Sequence, residues 1–144
     1  MSQTDSFEIK DFIPYLLNHA ADVSSREFER YYKSRYGMLR TEWRVVFHLG
    51  RYEKMTAKAI CEQARIHKTK VSRAVQALED KKFLKRTQMP DDRRHEILQL
   101  TPLGKKVFRD LCVEADRFET NLMATFSDRD RDKLRQMLTK IAKL

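Results

Sequence analysis

Apolar residues in this chain recur mostly three or four positions apart, which is the spacing of one face of a helix. The first such stripe contains Ile13, Leu16, Leu17, Ala20, Val23, Phe28 and Tyr31. It predicts a long helix over residues 11–32, with Asp11 as its N-cap. Pro14 falls in the first turn, where the missing N–H of proline breaks no hydrogen bond. Gly37 interrupts the pattern and predicts a break before the next helix.

The stretch "TEWRVVFHLG" predicts a second helix, which is capped by Thr41, continues through Leu49 and is stopped by Gly50. A short third helix is expected from its cap, Thr56, to about Gln63. The chain contains only 3 Gly and 3 Pro residues. An architecture with many tight turns would need more of both, so the composition also favours a mainly helical fold.

A further apolar stripe follows the brief interruption "ARIH". It occupies positions i, i+3, i+4 and i+7 and predicts a helix over residues 68–81; its members are Val71, Ala74, Val75 and Leu78. Two helices joined by a turn of three or four residues form a helix-turn-helix. An ordinary helical hairpin is the alternative that this pattern alone leaves open.

Two short runs with strand character, "FLKRTQM" and "HEILQLT", flank the charged segment "PDDRR". The second run alternates between two faces, one of which carries Glu96, Leu98 and Leu100. This alternation predicts a strand that packs on one side. A hairpin that directly follows a helix-turn-helix predicts a winged helix, and it strengthens the case for DNA binding.

Two more helices are predicted after the hairpin. Thr101 caps the first, Pro102 takes its first position, and the helix is expected to run to about Thr125. Ser127 and Asp130 resemble a capping box at the start of the last helix. The apolar stripe of that helix comprises Leu134, Met137, Leu138, Ile141 and Leu144.

The terminal helices carry more apolar positions than a winged helix needs. We therefore expect residues 1–40 and 101–144 to form a helical dimerisation region, with the winged helix-turn-helix over residues 41–100. A monomeric helical cap is the alternative. The expected fold class is mainly α (α+β), with a two-stranded β wing flanked by N- and C-terminal helices that form a dimerisation bundle.

The net charge of +9 is concentrated in the middle of the chain. Residues 51–94 contain 13 Lys or Arg and 6 Asp or Glu, a net charge of +7, whereas all other residues together contribute +2. A local excess of this size favours a polyanionic partner, because a merely solvated surface would more often spread its charge.

Several kinds of chemistry have no residues to support them. The four histidines are scattered and form no metal-binding pair, and no glycine-rich phosphate loop or nucleophile motif occurs. We therefore expect no enzymatic activity, cofactor or metal. No apolar run approaches the roughly 20 residues that cross a bilayer, and the N-terminus lacks a signal-peptide layout, so we expect a cytoplasmic protein. Cys61 and Cys112 form no disulfide framework, and any redox role of theirs stays open.

The segments "TEWRVVFHL", "KTKVSRAVQALEDKKFLKR" and "DDRRHEILQLTPLGKKVF" resemble the MarR family of bacterial transcriptional regulators. The last two resemble the family's recognition helix and its wing, in which a D-x-R tip precedes a strand ending in L-T-x-x-G. The chain departs from the family pattern at three positions. Arg65 stands where the family often has Gly, His67 where it often has Asp, and Lys82 replaces the Gly that usually ends the recognition helix.

This resemblance implies a DNA-binding surface. Ser72 and Thr69 can reach phosphates or base edges, and Lys70 and Arg73 can pair with phosphates or guanine. Arg94 is expected to enter the minor groove while Asp92 orients it. Lys68 and Arg93 are expected to contact phosphates of the DNA backbone. The full set of expected DNA-binding residues is Lys68, Thr69, Lys70, Ser72, Arg73, Arg86, Asp92, Arg93 and Arg94.

The resemblance also implies a crevice for a small, often aromatic, acid between the dimerisation region and the winged helix. The residues that could line it are Tyr15, His19, Trp43, Arg44 and His48. For each of them, a place in the core or on the surface is the competing interpretation. Arg44 or His19 would suit an anionic ligand.

We therefore expect a homodimeric, sequence-specific regulator that binds a pseudo-palindromic operator in double-stranded DNA. It would be a repressor released by a small effector. Two alternatives remain open at this point. One is an architectural nucleic-acid protein with little sequence preference, and the other is a winged helix that binds an acidic protein.

Overall fold

The structure, a computed structural model, describes residues 6–144, except for the side chains of Asp92, Arg93 and Arg94. Within this part the chain forms six α-helices and one two-stranded antiparallel sheet, which confirms the expected fold class of winged helix. In chain order the elements are α1 (Ile13–Tyr36), α2 (Arg40–Tyr52), α3 (Ala57–Ala64), α4 (Lys68–Asp80), β1 (Leu84–Met89), β2 (Asp92–Leu100), α5 (Pro102–Leu122) and α6 (Asp128–Ala142).

Helix α1 begins two residues later than the sequence predicted. Asp11 is not its N-cap, because it belongs to a short 3-10 turn over Ile9–Asp11, and Phe12 takes the cap position without a side-chain hydrogen bond. Pro14 lies in the first turn, as predicted. The helix continues to Tyr36 and ends at Gly37, whose φ of 63° lies in the left-handed region that glycine adopts without strain.

Both predicted ends of α2 were wrong. Thr41 lies inside the helix, and the free backbone N–H of Leu39 is instead satisfied by the Glu42 side chain, with 3.0 Å between N and Oε2. Gly50 does not stop the helix, which continues to Tyr52. The glycine is needed for packing, since a Cβ at this position would lie 2.4 Å from ring atoms of Phe108.

The core of the winged helix lies between α2, α3, α4 and the sheet. The apolar stripe predicted for α4 is completely buried, and the helix packs against α2, α3 and β1. The buried residues of these elements include Val45, Val46, Leu49, Ile60, Val71, Ala74, Val75, Leu78, Leu84, Leu98 and Leu100. This core therefore determines which side of α4 is left exposed.

The wing is an antiparallel hairpin with Leu84 opposite Leu100 and Arg86 opposite Leu98. The register shifts by a bulge between Gln88 and Met89 near the tip. A further bridge joins Leu98 to Met55, in the loop between α2 and α3. The base of the hairpin is thus attached to the helical part through backbone hydrogen bonds as well as through its buried leucines.

The two predicted caps of the C-terminal helices are confirmed. Thr101 Oγ1 accepts from the Gly104 N–H at 3.0 Å, and Ser127 accepts from the Asp130 N–H at 3.1 Å. Helix α5 ends at Leu122, slightly before the expected end. Contacts divide the chain into two compact units, 1–111 and 112–144. None of the described helices is long and apolar enough to cross a membrane.

Candidate nucleic-acid interface

The turn between α3 and α4 contains three residues with distinct roles. Arg65 ends α3 in the left-handed region, with φ 53°, and its N–H donates to Cys61 O. Ile66 is buried. His67 caps α4, because its Nδ1 accepts from the Thr69 N–H at 3.2 Å. The structure therefore shows why glycine would suit position 65, and it confirms that His67 can replace an aspartate cap.

Arg44 fixes this turn from the side of α2. Its Nη2 donates to the Ala64 carbonyl at 2.7 Å, which satisfies a backbone group left free at the end of α3. Burial, followed by the nearby Arg40 charge, lowers the pKa of Arg44. His48 lies one turn further along, with its Nδ1 2.7 Å from Arg44 O. Both side chains, expected at a ligand crevice, are thus engaged in local structure.

Helix α4 presents a polar side next to its buried stripe. All five residues of this helix that were predicted to bind DNA are exposed: Lys68, Thr69, Lys70, Ser72 and Arg73. Three of them are cationic and two carry hydroxyl groups. A helix with this surface offers the donors that phosphates and the major-groove edges of bases accept.

The C-terminal end of α4 is held by a buried carboxylate. Lys81 Nζ lies 3.0 Å from Oε1 of Glu42, which is only 3% exposed. The next residue, Lys82, adopts φ 64°, in the left-handed region that favours glycine, which is the residue usual at this position in the family that the sequence resembles. No sequence motif reveals the role of Glu42, because the residues that it joins are 39 positions apart.

The L-T-x-x-G motif joins the wing to α5. Thr101 Oγ1 donates to Lys82 O at 2.7 Å, and its N–H donates to Phe83 O at 3.0 Å. Gly104 packs directly against the backbone of Phe83, the residue before β1, since a Cβ at position 104 would lie 1.9 Å from Phe83 O. The motif therefore has a structural reason: the threonine bonds to the chain that leaves α4, and the glycine allows close approach.

Arg86 lies in β1 within a network of polar side chains. Its Nε is 3.1 Å from Oε2 of Glu79, its Nη1 is 3.3 Å from Oε2 of Glu96, and its Nη2 donates to Gln76 Oε1 at 3.0 Å. Gln76 in turn donates to Asp80 Oδ1 at 3.0 Å. The guanidinium of Arg86 thus joins the wing to α4, and the DNA contact expected of this residue stays a prediction. No sequence pattern indicated this network, because its members share no single period.

A cleft of about 530 Å³ lies between α3, α4 and the wing. Its lining includes Lys68, Ser72 and Arg86, and also the half-buried Cys61. Cys112 lies elsewhere, on α5, and burial raises the pKa of its thiol, which disfavours the reactive thiolate. Among the residues that the structure describes, no group of three or more His, Cys, Asp or Glu is arranged to hold a metal ion.

The tip of the wing was expected to supply Asp92, Arg93 and Arg94. The backbone of β2 begins at Asp92, but these three side chains lie outside the described residues. Their roles at DNA stay predictions.

The five residues expected at a ligand crevice fall into two groups. Trp43 packs edge-to-face on Phe28 and Phe47, with ring centroids 5.5 and 5.0 Å apart, so it belongs to an aromatic cluster. It is followed on α2 by Arg44 and His48. Tyr15 and His19 contact each other on α1, at 4.3 Å between centroids. A common crevice for these two groups stays a prediction.

Comparisons with known proteins agree with this geometry. A MarR family model matches residues 36–95. The helix-turn-helix transcriptional regulator YwoH of Bacillus subtilis, which is described as uncharacterized, is 28% identical over 97 residues, or 67% of this chain and 70% of YwoH. Among solved structures, a MarR/EmrR family regulator from Acinetobacter sp. ADP1 has a TM-score of 0.84 at 24% identity, covering 95% of this chain and 96% of that one.

A second structural neighbour is BpsR of Bordetella bronchiseptica, a protein whose DNA binding is regulated by 6-hydroxynicotinic acid. It has a TM-score of 0.84 at 17% identity and covers 96% of this chain and 98% of its own. The helix-turn-helix and its two-stranded wing define the molecule as a winged-helix protein. Residues 36–95 of the chain match the model of the MarR family of transcriptional regulators.

Proposed function

We propose that the protein is a homodimeric, sequence-specific repressor that binds a pseudo-palindromic operator in double-stranded DNA. The observation that carries this proposal is the exposed polar side of α4, where Lys70, Ser72 and Arg73 lie beside a buried apolar stripe. Such a helix can enter a major groove while the wing approaches the adjacent minor groove. The site as proposed is non-enzymatic and needs no cofactor. The protein acts where the DNA is, in the cytoplasm.

Dimerisation is supported by apolar side chains that the single chain leaves exposed at both ends. At the N-terminal end they are Phe7, Ile9, Phe12, Ile13, Leu16 and Val23. In the C-terminal unit they are Val113, Leu122, Phe126, Met137, Leu138, Ile141 and Leu144. Single exposed apolar residues are common, but sets of this size mark interaction surfaces. We assign residues 1–40 and 101–144 to dimerisation and residues 41–100 to DNA binding, and a second copy of the chain covers both sets.

Two copies would place two α4 helices on one side of the duplex. Their half-sites would lie about one helical turn apart, roughly 10 bp from centre to centre. A small acid, of the kind named for BpsR, releases the protein if it binds more tightly to a dimer whose spacing does not fit the operator. Tyr15, His19, Trp43, Arg44 and His48 are the residues we propose for this effector.

Selection from a randomised duplex pool tests the function. The protein should select a sequence with two-fold symmetry and bind it about 10³-fold or more tightly than a scrambled duplex at physiological salt. Equal affinity for both would make the protein an architectural one. If no duplex bound at any salt concentration, the partner of the basic surface would have to be a protein.

Arg73→Ala tests the assigned face. It should cost about 1–3 kcal/mol of binding free energy on the selected duplex if Arg73 contacts a base, and it should relax specificity at one position. Arg94→Ala should weaken binding to sites whose flanks are A·T-rich. Arg129→Ala, which removes an exposed arginine of α6, is the matched control and should bind like the parent.

A further inference from the structure

The guanidinium of Arg86 is committed to three partners on two elements. Glu79 and Gln76 belong to α4, whereas Glu96 lies on β2, diagonally across the hairpin from Arg86. An arginine has five N–H donors in a fixed planar fork, and each of its three nitrogens is used here toward a different residue. Its side chain is only 30% exposed. A DNA phosphate could therefore reach only the two remaining N–H groups, on a guanidinium whose direction its three partners already fix.

The charge of the network also argues against a simple phosphate contact. One guanidinium is paired with two carboxylates, and Gln76 connects a third carboxylate, Asp80, to the same group. The cluster as a whole is thus negative, although it lies between two elements that face DNA. Charge alone would make this cluster unfavourable near a polyanion. Any favourable contribution of the cluster to DNA binding therefore has to come from the geometry that it imposes on the wing.

The wing is joined to α4 at its base, through the short connection over residues 81–83, where Lys82 has a left-handed backbone. Backbone hydrogen bonds between Leu98 and Met55 attach the hairpin to the loop between α2 and α3 as well, but not to α4 itself. Arg86 supplies a further attachment, in the middle of β1, and it does so through a planar group whose bonds restrict direction as well as distance. Two separated attachments fix the angle between α4 and the hairpin.

We propose that Arg86 is a positioning residue, which with Glu79, Glu96 and Gln76 holds the wing at the angle that lets α4 and the wing tip occupy adjacent grooves together. This inference rests on the proposed function. It assigns to Arg86 a contribution to specific binding that does not come from its own contact with DNA. Specific binding needs the contact of α4 and the contact of the wing tip at the same time, whereas non-specific binding depends on total charge.

Glu79→Gln gives the sharpest test, because two accounts predict opposite signs. If Arg86 contacts phosphate, removing a neighbouring negative charge frees it and strengthens binding. If the network positions the wing, the same change weakens binding to the selected duplex, about 10-fold, and leaves affinity for a scrambled duplex nearly unchanged. Glu62→Gln is the control: Glu62 lines the same cleft without an ion pair among the described contacts. It should show no such loss.

Arg86→Gln and Arg86→Lys complete the set. A positioning role predicts that both weaken specific binding, since lysine keeps the charge but cannot hold three partners. The slope of log K against log salt should stay that of the parent in both. A phosphate contact predicts that Arg86→Lys binds nearly like the parent and that Arg86→Gln lowers the slope by about 0.9. Faster amide exchange in β1 and β2 of free Arg86→Gln is also expected.

The two proposals can fail separately. If the parent does not distinguish its selected duplex from scrambled DNA, the proposed function is wrong. If the parent does discriminate and Glu79→Gln strengthens specific binding, only the positioning role is wrong. All affinities are measured at a temperature at which thermal melting shows the parent and Glu79→Gln folded. Should Arg86→Gln be unfolded at that temperature, the sign of the Glu79→Gln effect decides.

Discussion

Glu42 and Lys81 form an ion pair that joins the start of α2 to the residue just after α4. The other oxygen of the same carboxylate accepts from the Leu39 N–H. One buried side chain thus caps α2 and holds the end of α4. Lys81 also passes close to Gly37, where an added Cβ would lie 3.7 Å from Lys81 Cε, so the junction between α1 and α2 belongs to the same assembly.

Lys81→Met should lower the free energy of unfolding by about 2–3 kcal/mol, because it leaves the buried Glu42 carboxylate unpaired. The value is below that for a fully buried pair, since Lys81 is 30% exposed. Adding Glu42→Gln should recover part of the loss, because the amide oxygen still accepts from Leu39 and no charge remains buried. Urea denaturation measures both. Lys85→Met, an exposed lysine on β1, is the control, and equal stability of the two lysine variants would contradict this account.

Asp110 makes stability depend on pH on the acidic side. Burial alone opposes its ionisation, but hydrogen bonds from Tyr36 and Tyr31 and the charge of Arg35 outweigh burial, so the pKa of Asp110 lies below the ordinary value of 3.8. The ionised group therefore stabilises the fold above that value, and the contribution is lost as the pH falls through the folded pKa.

Asp110→Asn should thus flatten the acidic limb of the stability curve. Below about pH 4 the parent should lose stability more steeply than the variant, and at neutral pH the variant should be the less stable of the two. Chemical denaturation at a series of pH values measures this. Asp116→Asn changes an exposed carboxylate of the same helix, and its loss of stability at acidic pH should be the same as that of the parent. Parallel curves for parent and Asp110→Asn would reject the role of Asp110.

Arg65→Gly should change stability and DNA binding in opposite directions. Glycine adopts the left-handed backbone of position 65 freely, so the variant should be more stable by up to about 1 kcal/mol. If the exposed Arg65 side chain meets a phosphate beside the N-terminal end of α4, affinity should fall several-fold and the salt slope by about 0.9. A loss of affinity in a more stable protein cannot come from unfolding.

Lys143→Gly is the matched control for Arg65→Gly. Lys143 also has a positive φ, of 57°, at the end of α6, and its replacement should give the gain in stability without a change in DNA affinity. Thermal melting and fluorescence anisotropy on the selected duplex measure the two effects. An Arg65→Gly variant that binds with parental affinity and salt slope would remove this residue from the interface.

Gly104→Ala should disrupt the junction between the wing and α5. The added methyl group would overlap the backbone oxygen of Phe83, which cannot rotate away as a side chain could. We expect a loss of about 3 kcal/mol or more, at the upper end of the range for overpacking. Gly50→Ala meets only the ring of Phe108 and should cost less. The reverse order in a denaturation experiment would show that the backbone contact relaxes.

Local patterns in the sequence predicted the elements well. The stripe from Val71 to Leu78 indicated α4 and its buried face, and Thr56, Thr101 and Ser127 cap the helices that they were expected to cap. These features depend on residues three or four positions apart. The MarR-like motifs added the order of the parts, namely recognition helix, wing and following helix.

The features that local patterns missed depend on distant residues. Thr41 satisfied the rule for a cap, but Glu42 takes that role because Lys81, far along the chain, stabilises its charge in the interior. Gly50 looked like a helix stop, whereas Phe108 is the reason that a glycine stands there. The ion pairs of Arg86 were missed as well, because only the folded chain brings Glu79 and Glu96 to it.

The central claim is that two copies of this chain bind one symmetric DNA site through α4 and the wing. Sedimentation of the protein with its selected duplex, at physiological salt, tests it most directly. We predict a complex of two chains per duplex whose affinity exceeds that for the scrambled duplex by about 10³-fold or more. A complex with one chain per duplex, or equal affinity for both sequences, would contradict it.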